Sequence, residues 1–295
     1  MKTFTLIFAG FILISNTWAS DIDSLLGRLS SVNNTQERLN KFSELFLGLP
    51  YGVTGPLGEG AGAPYDQDPL FRFDTFDCTT YVETIMALAL AGTEADFLYR
   101  MNQVRYEDGV VDYTLRNHFP SLDWVPNNIN NGLLEEINEE VVSSNEIKIA
   151  STIIDKPAYY NFLKVSDLRL YDQTTESEKL LRVQEWHREG DKFSPQEARI
   201  SYIPINTLVN RPTLLNKIPH GTIVNFVRPN WDIRHLQGTK MNVSHQGFLF
   251  KKNNKLILRH ASSGDKFVVE VPLIDYLKKF YNHATLKGIH LMRLK

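Results

Sequence analysis

Apolar positions recur at helical spacing in the first third of the chain and alternate in the last third. From Ser24 to Leu47 the pattern predicts helix, with a break near Asn33. In NNTQERLNKFSELFLG, Asn34 stands as an N-cap with Glu37 three residues on, and Leu39, Phe42, Leu45 and Phe46 form an apolar face. Gly48 and Pro50 stop that helix. Tyr51 to Pro64 is a glycine-rich loop without the Lys-Ser/Thr ending of a phosphate-binding loop. In FDTFDCTTYVETIMALALAG, Cys78, Val82, Ile85 and Ala89 share one helical face. Asp77 or Thr75 caps its start and Gly92 its end. A further helix is expected from about Glu94 to Tyr106, with Thr93 as cap. Residues 133–197 are mixed and more polar, and read as an elaboration of one domain rather than a second domain. Then ISYIPI, GTIVNFV, NVSHQGFLF, KLILRHAS and KFVVEV predict strands, LIDYLKKFYNH a short helix and GIHLMRL a last strand. Helices first and an antiparallel sheet afterwards define an α+β class.

Composition changes this picture only at the N-terminus. The chain has 295 residues, 42% hydrophobic and 22% charged, enough for a sizeable core. A net charge of -2 gives no reason to expect nucleic acid or an anionic membrane as partner. MKTFTLIFAGFILISNTWAS has one charge, Lys2, then an apolar run from Phe4 to Ile14 and small residues at Thr17 and Ala19. This layout predicts a signal peptide over residues 1–19 and one exported domain over 20–295, periplasmic or secreted, with no membrane insertion after cleavage. Export makes the single cysteine, Cys78, conspicuous: it cannot form an internal disulfide in an oxidising compartment. It is either a small core residue or a working thiol.

A helix entrance is a place where a thiol can work. Unpaired N–H groups and the macrodipole favour a thiolate and a lowered pKa, and the same N–H groups can hold an oxyanion. The base should be a histidine. His245 and His260 lie in strand segments joined by KKNNK, a hairpin connection. A turn centred on Lys252-Asn253 places them directly opposite; one centred on Asn253-Asn254 makes them diagonal neighbours on the same face. Either of these registers lets one imidazole orient the other, the logic of a catalytic triad; only a three-residue turn centre would put them on opposite faces.

FDC opening a helix, SHQGF on a strand and RHAS on the next resemble the NlpC/p60 cysteine peptidases of bacterial cell-wall metabolism. LGLPYG ahead of the glycine-rich loop is similar to the lead-in of that superfamily. The long interval between Cys78 and His245, with RNHF and DW inside it, resembles the N-acetylmuramoyl-L-alanine amidase-like family, also catalogued as domain of unknown function 1460. The resemblance implies a papain-like core with the cysteine helix packed on an antiparallel sheet. It implies Cys78 as nucleophile, His245 as base and then acid, and His260 as the orienting group. Tyr51 would polarise the scissile carbonyl, while Asp77 and Ser244 match positions that contact substrate. The substrate implied is peptidoglycan or its fragments, cut at the N-acetylmuramoyl-L-alanine amide, with no metal or other cofactor.

Arg116, His118 and Trp124 are candidates for binding sugar or a peptide carboxylate. Three rivals stand beside the amidase. A γ-D-glutamyl-diamino acid endopeptidase would use the same three residues. A zinc amidase would draw on His220, His235, His245 or His260, but no His-Glu-x-x-His helix is present. A non-catalytic wall-binding module would have no need of an intact Cys, His and His set.

Overall fold

The computed structural model describes residues 22–52, 56–171 and 173–295. The leader expected over residues 1–19 lies outside the described residues. Among the described residues, no helix is long and apolar enough to cross a membrane.

Among the described residues four helices come first: α1 (Ile22–Arg28), α2 (Thr35–Leu45), α3 (Cys78–Leu90) and α4 (Glu94–Arg105). Asn34 caps α2 by accepting the Glu37 N–H at 2.9 Å. Leu39, Phe42 and Phe46 are buried, whereas Leu45 of the expected apolar face is 41% exposed. Asp77 is the N-cap of α3 and forms a capping box with Thr80, each side chain taking the other's backbone N–H. The C-terminus of α3 departs from expectation. Ala91, not Gly92, follows the last turn, in extended conformation. The Arg38 guanidinium donates to the carbonyls of Leu88, Ala89 and Ala91, satisfying the helix end with a cation instead of a left-handed glycine.

Among the described residues eight strands form one antiparallel sheet, making a mixed α+β fold. They are β1 (Leu134–Glu136), β2 (Lys148–Ile154), β3 (Gln196–Pro204), β4 (Thr222–Asp232), β5 (Lys240–Lys252), β6 (Lys255–Ser262), β7 (Phe267–Pro272) and β8 (Gly288–Leu294). The order is β2-β3-β8-β4-β5-β6-β7, with β1 on β8. One layer of core joins α2, α3 and α4 to Ile223, Phe248, Phe250, Ala261 and Met292. The other joins Val224, Phe226, Leu249, Leu258 and Leu291 to the short helices Ile205–Asn210 and Leu273–Lys278. Strand alternation thus buries both faces.

Two strands lie in the polar segment 133–197, where the hydrophobic pattern did not predict them. β2 pairs with β3 over Lys148–Ile154, and its outward residues Ile149 and Ile153 are each 53% exposed, which blurs the alternation. The same segment carries the helices Lys156–Phe162 and Glu176–Gly190, which pack Tyr160 and Trp186 against Tyr65 and Tyr113.

Candidate active site

The β5–β6 hairpin sets the histidine geometry. Lys252 pairs with Lys255, so Asn253 and Asn254 are the central turn residues. Both have positive φ, 50° and 59°, the requirement of a type I′ turn that asparagine tolerates. This realises the diagonal register. His245 Nε2 and His260 Nδ1 are 2.6 Å apart, and the rings are nearly perpendicular at 80°. An added Cβ on Gly247 would lie 3.0 Å from His260 Cβ, so the glycine lets the strands close at the pair. Phe226 pairs with His245 but Val227 with Val243, leaving Ser244 as the extra residue of a β-bulge. Such a bulge re-aims the neighbouring side chain.

Cys78 is the first residue of α3 and is half-buried. The backbone of Gln246, the residue after His245, lies near enough to Sγ to favour the thiolate, and α3 packs on β5. That contact brings the helix entrance to the hairpin. Sγ makes no hydrogen bond to the His245 ring. Tyr51 reaches the thiol through a stitched loop. Its N–H donates to Lys266 O at 2.8 Å, Gly52 N–H to Phe76 O at 2.9 Å, and Phe76 N–H to Pro50 O at 3.2 Å. Burial raises the Tyr51 phenol above its usual value, and Cys78 and Asp77 add to the rise. Ser244 Oγ accepts from Arg228 Nε at 2.9 Å. Tyr276 packs edge-on against His260, with ring centroids 5.5 Å apart.

The electrostatics of the thiol reverse the sequence expectation. Burial, then the Asp77 charge, push Cys78 up to about 12, outweighing the Gln246, Thr79 and local backbone contacts that favour the thiolate. Burial, then His260, push His245 down to about 3, and burial pushes His260 down to about 4 against the pull of Asp265. The resting pair is therefore a neutral thiol and a neutral imidazole. At neutral pH, wild type minus Cys78→Ala should show no thiolate ultraviolet absorbance. Iodoacetamide alkylation should speed up by roughly tenfold per pH unit above neutrality. Fast alkylation independent of pH would instead reveal a preformed thiolate–imidazolium pair.

The other three candidates lie along the cleft beyond Asp77 or behind it. Arg116 is spent on two carboxylates, Glu59 and Asp66, and stacks over Tyr113 at 4.9 Å. Trp124 is fully buried, and its Nε1 donates to Glu83 Oε1 at 3.1 Å, so it offers no face to a sugar. His118 is held by Tyr113 O at 3.1 Å, and burial, then Arg116, keep it well below its usual value. Arg116 and His118 border a cavity of about 410 Å³ that also touches Asp77 and Thr79. Tyr159 and Leu163, from the 133–197 segment, form its far wall. The groups that sequence reasoning missed are Gln246, Tyr276 and Arg228. Gln246 acts through its backbone, which no residue type advertises. Among the described residues no three His, Cys, Asp or Glu side chains converge as a metal site.

A thiol at a capped helix entrance, beside a hydrogen-bonded pair of imidazoles, is the equipment of acyl transfer. Residues 41–284 match the AmiA-like family, described as N-acetylmuramoyl-L-alanine amidase-like, and the chain belongs to that family. A crystal structure of a Legionella pneumophila protein of the domain of unknown function 1460 family is 36% identical, with a TM-score of 0.89 over 94% of each chain. A Bacteroides uniformis N-acetylmuramoyl-L-alanine amidase is 26% identical, with a TM-score of 0.61 over 88% of this chain and 99% of its own. A Bacteroides fragilis protein crystallised as a proposed xylanase is also 26% identical, with a TM-score of 0.59 over 85% and 98%. A search of curated proteins finds none that matches.

Proposed function

We propose that this protein is an exported cysteine amidase that hydrolyses the bond between the lactyl group of N-acetylmuramic acid and L-alanine, in peptidoglycan or its fragments. In this reading residues 20–295 form one catalytic domain of the NlpC/p60 superfamily with a papain-like core. The family and the Bacteroides uniformis amidase supply the bond. The observation that carries the chemistry is the His245–His260 hydrogen bond, next to the strand residue that contacts Cys78.

The steps follow from the atoms available. His245 Nε2 is occupied by His260, so Nδ1 is the nitrogen left for the thiol proton. Sγ attacks the lactyl carbonyl as its proton moves to His245. The oxyanion is held by N–H groups at the α3 entrance and the Tyr51 hydroxyl. His245 then gives the proton to the alanine nitrogen, the C–N bond breaks, and the peptide leaves as an amine. Water hydrolyses the thioester and restores the thiol. Glycoside cleavage is a poorer fit, because it needs two carboxyl groups facing the bond. Here Glu59 and Asp66 are held by Arg116, Glu83 by Trp124 and Arg105, and Asp77 by its cap.

The γ-D-glutamyl endopeptidase would employ the same residues, so the test is the product. Wild-type protein incubated with N-acetylmuramoyl-L-Ala-D-Glu-diaminopimelate should release intact L-Ala-D-Glu-diaminopimelate, read by mass spectrometry, and Cys78→Ala should not. Release of diaminopimelate alone would overturn the amidase in favour of the endopeptidase.

A further inference from the structure

The site has two wings that differ in what they face. The cavity containing Asp77 and Thr79 opens on the nucleophile's own helix. A second cavity, of about 430 Å³, opens on the histidines: Ser244, His245 and His260 line it, with Arg228, Trp231 and Lys279. The proton donated in amide cleavage comes from the base, so the departing amine lies on the histidine side of the thiol. Whatever is attached to that amine extends into the second cavity.

The charges there have little else to meet. Arg228 is anchored by hydroxyls: Nε donates to Ser244 Oγ at 2.9 Å and Nη1 to Thr285 Oγ1. Its guanidinium lies 5.0 Å over the Trp231 ring. Among the described residues no carboxylate lies within ion-pairing distance of Arg228 or Lys279, while Arg116 has two. The carboxylate in this cavity, Asp265, is engaged with Ser262 Oγ at 2.7 Å and its carboxyl charge acts on His260. An oriented, partly desolvated guanidinium without a counter-charge is a receptor for an anion.

We propose that this cavity is the subsite for the leaving peptide, and that Arg228 binds a free carboxylate on it, such as the α-carboxylate of a γ-linked D-glutamate. The role rests on the amidase reading and makes Arg228 a specificity determinant. The Asp77 wing is left for the acyl side.

The test compares N-acetylmuramoyl-L-Ala-D-Glu with N-acetylmuramoyl-L-Ala-D-isoglutamine, in which that carboxylate is a carboxamide. Wild type should prefer the acid by roughly 10- to 100-fold in kcat/KM. Arg228→Gln should lower the acid to the level of the amide, so that the acid-to-amide ratio in kcat/KM falls to about one. Lys279→Gln, at an exposed position that packing does not depend on, should cost roughly two- to fivefold on the acid alone. Equal use of both substrates by wild type, or an equal loss on both in Arg228→Gln, overturns the proposal. Binding separates it from the amidase reading. Cys78→Ala should bind L-Ala-D-Glu more tightly than L-Ala-D-isoglutamine in calorimetry, and Cys78→Ala/Arg228→Gln should lose the difference. No preference in Cys78→Ala overturns the subsite. A preference in protein that never cleaves the lactyl–alanine bond keeps the subsite and sinks the amidase.

Discussion

Cys78→Ala should lower turnover of N-acetylmuramoyl-L-alanine substrates by about 10⁴-fold or more while leaving the fold intact. In the proposed mechanism the sulfur becomes covalently bound to the acyl group, so nothing replaces it; the residual rate comes from binding and the oxyanion donors. The fold should tolerate the change because alanine is a good helix former and the Asp77–Thr80 capping box does not involve the thiol. Thermal melting of the variant should match wild type to within a few degrees. Cys78→Ser checks the same point with an isosteric group, since a hydroxyl is a far poorer nucleophile when its proton must go to an imidazole as weakly basic as His245. A variant lacking the thiol that keeps a tenth of wild-type activity would remove Cys78 from the mechanism.

His260→Ala should cost about 10²- to 10³-fold in kcat with little change in KM, whereas His260→Asn should stay within about tenfold of wild type. For His245 to take a proton at Nδ1, its own proton must sit on Nε2 and be donated to an acceptor. His260 Nδ1 is that acceptor at 2.6 Å, which puts the His260 proton on Nε2. His260 Nε2 is buried and has no protein partner, a cost that a residue placed only for packing would not carry. Asparagine presents an oxygen close to the position of Nδ1 and preserves the acceptor; alanine removes it. If alanine and asparagine fail equally in kcat, with equal losses in melting temperature, the role of His260 is packing. The pH profile provides a second readout. With His245 held down to about 3, the free base persists through mildly acidic pH, and kcat/KM should fall only well below the usual histidine range.

Local signals made much of this site legible. Asn34, Asp77 and Thr93 each cap the helix that follows, because a short polar side chain before an apolar helical run has few other uses. KKNNK left three turn centres open, two of which put the histidines on one face, and the left-handed asparagines chose among them. Long-range facts were not legible. That Arg116 is neutralised depends on Glu59 and Asp66, fifty and more positions away. That Trp124 is core depends on Glu83, and that α3 ends on Arg38 depends on an earlier helix. Arg228 sits in a strand pattern that gave no hint of chemistry; only the absence of a nearby carboxylate makes it visible. A helix entrance favours a thiolate, but at Cys78 burial, which depends on distant elements, is the larger influence.

The histidine pair is made within one hairpin, while the thiol is contributed by a helix more than half the chain length upstream. On a ribosome adding roughly 5–20 residues per second, the proposed nucleophile therefore precedes its proposed base by roughly ten to thirty seconds. Throughout that interval α3 has no β5 to cover Tyr81, which in the finished protein packs on Phe248. In the proposed mechanism the parts are harmless apart, and they become an active centre only when a long-range contact of the fold is closed.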